Sequence, residues 1–208
     1  MLRRREGWSG AGIEIETSGI KQVHTGGEGI PMGTTAVTTR MSVEEYLRTP
    51  FRPDVDYVDG VIEERNLGEW DHAGLQSILD RMLGAMEDEW RIYSSIELRV
   101  QTSATRFRVP DVCVTDARNT MEQIPRKPAL LCIEVKSPED RLLRMFERAK
   151  DFHRMGVEQV WVFDPETLKA WVSTRDGVQE WSGGLLKVPG TLIELDPAVA
   201  FEAMVRRR

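Results

Sequence analysis

From Ala129 to Lys136 the chain reads Ala-Leu-Leu-Cys-Ile-Glu-Val-Lys, a nearly unbroken apolar run. The run has strand length, and apolar residues at both odd and even positions mean burial on both faces. Such a strand belongs in the middle of a sheet that other elements cover on each side. The chain must therefore build a two-sided core. With 208 residues at 40% hydrophobic, it has enough apolar surface for one domain plus extensions.

The neighbouring sequence supplies those elements. Ser42-Val43-Glu44-Glu45 is a capping-box pattern that starts a short helix, ended by Pro50 and Pro53. Val55 to Arg65 reads as two short strands around a turn at Asp59-Gly60. Leu75, Ile78, Leu79, Met82, Leu83, Met86 and Trp90 fall at helical spacing and predict a helix from about Asp71 to Trp90. His72, three residues before Leu75, lies near the same inward stripe.

Ile92 to Val100 alternates as a strand, Arg106 to Thr115 is a second, and Ala129 to Lys136 is the third. Ser137-Pro138-Glu139-Asp140 has the chemistry of a helix start, and Gly156 of a helix end. Gln159 to Phe163 is a short buried strand that can run parallel to the third one through a right-handed crossover. A hairpin around Asp176-Gly177, a strand near Thr191 to Leu195 and a helix near Ala198 to Val205 complete the order. The expected fold is α/β (α+β): a mixed sheet flanked by helices. Residues 41–208 form the domain. Residues 1–40, rich in Gly, Ser and Thr and lacking periodicity, are expected to be a disordered extension.

No apolar run approaches the roughly 18 residues that would span a membrane. No hydrophobic stretch follows the basic start Met1 to Arg5, so a secretory signal is not expected and a cytoplasmic location is. Cys113 and Cys132 lack C-x-x-C spacing and read as buried, reduced thiols. The net charge of −6 argues against coating nucleic acid through a global positive field. Locally the balance reverses, because Arg99 to Arg154 holds twelve Lys and Arg against eight Asp and Glu.

Two short segments place charges inside apolar strands: Pro110-Asp111 and Glu134-Val135-Lys136. A buried charge is costly unless paired or bound to a metal. Glu134 and Lys136 are two apart and share a strand face. An antiparallel neighbour would set Asp111 opposite Glu134, and Cys113 opposite Cys132. Two carboxylates then converge with an ammonium. That set suits a hard divalent ion such as Mg²⁺, with Mn²⁺ as a substitute. Such an ion activates water and offsets charge on a phosphate, and Lys136 would orient the water or stabilise the transition state. The implied reaction is phosphodiester hydrolysis. Read alone, both segments are also ordinary salt-bridged strand residues. His72 reads as a structural histidine or a site contact. Glu64 reads as an exposed acid or a cleft residue. Arg108, Arg141 and Arg144 are candidates to hold phosphates, whereas Arg206 to Arg208 reads as a frayed basic tail.

From Ser42 to about Pro197 the chain resembles the Uma-two family of restriction endonucleases within the PD-(D/E)XK nuclease superfamily. The resemblance rests on Asp56-Tyr57-Val58-Asp59-Gly60, His72, Val109-Pro110-Asp111-Val112, Ile133-Glu134-Val135-Lys136-Ser137-Pro138, and Gly156-Val157 followed by Val160 to Pro165. It implies a restriction-endonuclease-like fold and a Mg²⁺-dependent nuclease acting on DNA. It implies Asp111, Glu134 and Lys136 as catalytic residues, with Asp111, Glu134 and Asp56 toward the metal and His72 as a site contact. Asp56 departs from the family's usual Glu and is one methylene shorter. Arg148 stands where the family often has a lysine, eight residues before the glycine. By analogy with enzymes that cut both strands of a duplex, a homodimer is expected. The rival expectation is a catalytically silent module of the same fold that binds nucleic acid or another subunit.

Overall fold

A computed structural model describes residues 40–66 and 69–208. The extension expected over residues 1–40 lies outside the described residues, save Arg40. The first helix, α1 (Val43–Arg48), begins where the capping box put it, with Ser42 Oγ accepting from the Glu45 N–H at 3.1 Å. Strands β1 (Asp56–Val58) and β2 (Val61–Glu63) form the expected hairpin, with Asp59 and Gly60 both at positive φ.

The long helix is two helices, α2 (Trp70–Gly84) and α3 (Glu87–Trp90). Gly84 at the end of α2 has low helix propensity. The Glu87 carboxylate opens α3 and accepts from the Ser94 N–H at 2.7 Å, which turns the chain back into a strand.

The two expected strands after it are each divided as well. Ile92 to Val100 becomes β3 (Ile92–Ile96) and β4 (Val100–Ser103), separated at Glu97, which has φ 50°. Arg106 to Thr115 becomes β5 (Arg106–Arg108) and β6 (Val112–Asp116). The second break falls at Val109-Pro110-Asp111, where proline has no N–H for a ladder. Both chains thereby leave one sheet for another. The rest follows as β7 (Leu131–Val135), α4 (Leu142–Met155), β8 (Val160–Asp164), β9 (Lys169–Thr174), β10 (Gly177–Glu180), β11 (Leu186–Lys187), β12 (Glu194–Leu195) and α5 (Pro197–Val205). Helix α4 starts later than Ser137 because the Asp140 carboxylate closes a turn on the Ser137 N–H at 3.1 Å.

The larger sheet has the order β10-β9-β8-β7-β6-β3, and only β7 and β8 run parallel in it. The crossover between them is α4. The smaller antiparallel sheet has the order β2-β1-β5-β4, and β11 pairs β12. All five residues of β7 are buried, as its composition requires. Its odd-numbered residues Leu131, Ile133 and Val135 join Leu75 and Leu79 of α2 and Phe201 of α5 in one core. Cys132 joins Ala149 and Phe152 of α4 in a second. Tyr46 of α1 stacks on Tyr57 and meets Phe107 over the smaller sheet. Among the described residues no helix is long and apolar enough to cross a membrane.

Candidate active site

Strands β6 and β7 pair antiparallel with Val112 opposite Ile133 and Cys113 opposite Cys132. The same register sets Asp111, one residue before β6, beside Glu134. Asp111 is 3% exposed and fully engaged. Its Oδ2 accepts the Val135 N–H at 2.6 Å, and its Oδ1 accepts from the Arg65 guanidinium at 2.6 Å. His72 Nε2 stands 3.4 Å from Oδ2. Gln76 of α2 donates to the Asp111 carbonyl at 2.9 Å, which holds the residue between α2 and β7. Burial disfavours the charge on Asp111. The contact with His72, the Arg65 charge and the Val135 N–H outweigh that and hold its carboxyl below the usual range.

Glu134 is 1% exposed and faces α4. Its Oε1 lies 3.2 Å from the Arg148 guanidinium, yet it accepts no hydrogen bond from the described residues. Burial pushes its carboxyl up to about 8, and the negative charges of Asp111 and Asp56 add to that while Arg148 and Arg65 oppose it. Arg148 also donates to the Val109 carbonyl at 3.1 Å and lies 3.6 Å from Asp56. It thus sits between Asp56 and Glu134.

Asp56 is buried and held elsewhere. Its Oδ1 accepts the Val109 N–H and its Oδ2 accepts from Arg108, both at 2.9 Å. Arg108 is locked in turn by Glu63 at 2.6 Å and by Asp151 at 2.8 Å. This overturns the expectation that Arg108 holds phosphates, since a guanidinium with three carboxylates around it is not available to substrate. Glu64 is exposed, and its carbonyl accepts from Arg144 at 3.1 Å.

Lys136 extends past the end of β7 into a cleft of about 470 Å³ whose lining includes His72, Glu69, Asp71, Asp164 and Glu166. Its ammonium lies 3.7 Å from Asp164 and 3.5 Å from Glu166, and its ion pairs are with these two acids rather than with Asp111 or Glu134. His72 connects the two parts, because it lines this cleft and contacts Asp111. Its Nδ1 is buried without a hydrogen-bond partner among the described residues. Arg208 is no frayed tail. It grips Asp71 with two hydrogen bonds of 2.9 and 2.7 Å at the rim of the cleft.

Sequence reasoning passed over Arg65, Gln76 and Asp151. Arg65 and Gln76 belong to segments far from Asp111 in the chain, the one following β2 and the other on α2, and only tertiary packing brings them there. Asp151 lies off the Met145, Ala149 and Phe152 stripe of α4, so its burial against the arginines of the smaller sheet is likewise a tertiary outcome.

The buried carboxylate pair suits a hard divalent cation. Mg²⁺ commonly takes only one or two protein carboxylates and keeps several waters, and Glu134 Oε1 is a buried acceptor that has the Arg148 ion pair but no hydrogen bond among the described residues. No group of three or more His, Cys, Asp or Glu that could hold a metal ion occurs among the described residues.

The family model Uma2, described as "Putative restriction endonuclease", matches residues 43–205. No curated protein matches the chain. Among solved structures, the crystal structure of a "putative nuclease belonging to DUF820" from Anabaena variabilis aligns with a TM-score of 0.71 at 18% identity, over 79% of this chain and 99% of that one. At that identity the likeness speaks for the fold alone. A cryo-EM structure of a DrdV–DNA complex aligns with a TM-score of 0.36 at 12% identity, over 67% of this chain and 12% of that one, too little to carry an argument.

Proposed function

This chain belongs to the Uma2 family, and we propose that it is a metal-dependent endonuclease of the PD-(D/E)XK type that hydrolyses DNA phosphodiester bonds. The observation that carries the reading is the β6–β7 register, which sets Asp111 beside a buried Glu134 whose Oε1 is met among the described residues by the Arg148 ion pair at 3.2 Å but by no hydrogen bond. Two adjacent strands bury a carboxylate pair, which is costly unless its charge is compensated.

Asp111 and Glu134 would hold the cation, Mg²⁺ or in its place Mn²⁺. Bound there, it would acidify a water and offset charge on the phosphate. Asp111 is kept ionised by His72, Arg65 and the Val135 N–H. Glu134 must first release a proton. Asp56 acts one step away, as the acid that anchors Arg148 beside Glu134. Lys136 supplies the ammonium in the cleft, where it would donate to a phosphate oxygen or to the attacking water. His72 would position Asp111 and face the same water. A symmetric homodimer would bring two such sites to the two strands of a duplex.

A silent binding module is the second reading. It is favoured by the guanidinium groups already on both carboxylates and by the pairing of Lys136 with Asp164 and Glu166. The deciding experiment incubates the protein with labelled single-stranded, double-stranded and branched DNA, with Mg²⁺, Mn²⁺ or chelator. Asp111→Ala, Glu134→Ala and Lys136→Ala run beside it. Cleavage that needs metal and is lost in all three variants is the expected outcome. No cleavage under any condition, or cleavage unchanged in the variants, selects the silent module.

A further inference from the structure

Asp111 has two oxygens, and the fold itself uses one. Oδ2 accepts the Val135 main-chain N–H, a contact that cannot leave without breaking the β6–β7 junction. Oδ1 is the oxygen left for chemistry, and Arg65 covers it at 2.6 Å. A guanidinium and a divalent cation on one carboxylate oxygen repel strongly at such separations. One of them must yield.

The two arginines at the site differ in how firmly they are held. Arg148 rises from the middle of α4, donates to the Val109 carbonyl and reaches both Asp56 and Glu134. Arg65 follows β2 in a segment that is neither helix nor strand. Besides Asp111, the one acid its side chain reaches among the described residues is Glu97, at 3.7 Å and 55% exposed. The guanidinium fork matches carboxylate and phosphate alike, so it loses little by trading one for the other.

We infer that Arg65 exchanges partners during the catalytic cycle. It is the counter-ion of Asp111 in the free protein, and it passes to the phosphate of the substrate when a divalent cation takes Oδ1. The inference rests on the metal-dependent nuclease reading above, and it adds a substrate-positioning residue that the sequence motifs do not contain. It also explains how a site with a metal-sized demand for positive charge stays folded without the metal.

The test has two readouts that should move in opposite directions. Mn²⁺ binding to the full chain is measured by titration calorimetry without DNA. Arg65→Ala should bind Mn²⁺ at least about tenfold more tightly than wild type, because a competing like charge is gone. Arg65→Lys, which keeps the charge without the fork, should fall between. Duplex DNA binding is then measured by fluorescence anisotropy with Mn²⁺ in a Lys136→Ala background that retains both carboxylates. There Arg65→Ala should bind about tenfold more weakly, as the loss of one charged contact predicts. Arg65→Gln, shorter but polar and uncharged, gives the same two readings should the alanine variant not fold. Tighter Mn²⁺ binding with unchanged DNA binding overturns the exchange, since Arg65 would then be a counter-ion only. Equal Mn²⁺ affinity in wild type and variants overturns it while leaving the nuclease reading standing. No Mn²⁺ binding by any of the proteins overturns both.

Discussion

A carboxyl group as deeply buried as Glu134 records its surroundings in its proton affinity. Its value of about 8 in the folded chain lies above the ordinary value of 4.5 that the unfolded chain approaches. The folded state therefore holds that proton more tightly. The stability that results is fully present below about 4.5 and is lost as pH rises through about 8. Metal-free protein should melt at progressively lower temperature across that window, and Glu134→Gln should flatten this part of the pH profile. Parallel profiles for the two proteins would show that Glu134 is not the titrating group. Because a ligating carboxylate must be ionised, Mn²⁺ affinity of the wild type should rise over the same window. A pH-independent affinity would place the ion elsewhere.

Among the elements, α4 illustrates how a terminus is decided. Gly156 closes it with φ 117°, and a Cβ built there would stand 2.7 Å from Pro128 Cγ. Gly156→Val should destabilise the protein by more than about 1 kcal/mol, read as a loss in denaturant midpoint, since both the backbone and the proline ring oppose it. A variant as stable as wild type would mean that the Pro128 segment gives way freely. At the other end of α4, Ser137-Pro138-Glu139-Asp140 has every local mark of a helix start, yet the Asp140 carboxylate closes a turn first and its second oxygen accepts from Asn66 at 2.8 Å. Local chemistry reads Gly156 correctly because its cause lies within its own helix. It misplaces the start at Ser137, where the local Asp140 bond closes a turn and the Asn66 contact that also holds Asp140 comes from far away in the chain.

The molecule as a whole is joined across its two main sheets by charge. Asp151 of α4 is 1% exposed and takes Arg106 at 2.8 Å, Arg108 at 2.8 Å and Arg154 at 2.6 Å. Arg106 and Arg108 belong to the smaller sheet, and α4 lies between it and the larger one, packing on both. Without Asp151, Arg108 keeps Asp56 and Glu63 and Arg106 keeps Asp59, so Asp151→Ala removes charged hydrogen bonds without stranding a buried charge and should cost about 1.5–3 kcal/mol in equilibrium unfolding. A cost below about 1 kcal/mol would mean that water reaches the network.

The sequence by itself determined the central strand, the turns and the helix ends with local caps. Each of these rests on side-chain alternation or on contacts a few residues apart, which are written in consecutive positions. Only the tertiary structure decided that two expected strands split between two sheets, that Arg108 and Asp56 hold each other, and that Arg65 covers Asp111. It likewise turned Lys136 toward Asp164 and Glu166. Those outcomes depend on which distant charges share one desolvated space, and the energy of an ion pair is set by separation and burial, neither of which order along the chain records.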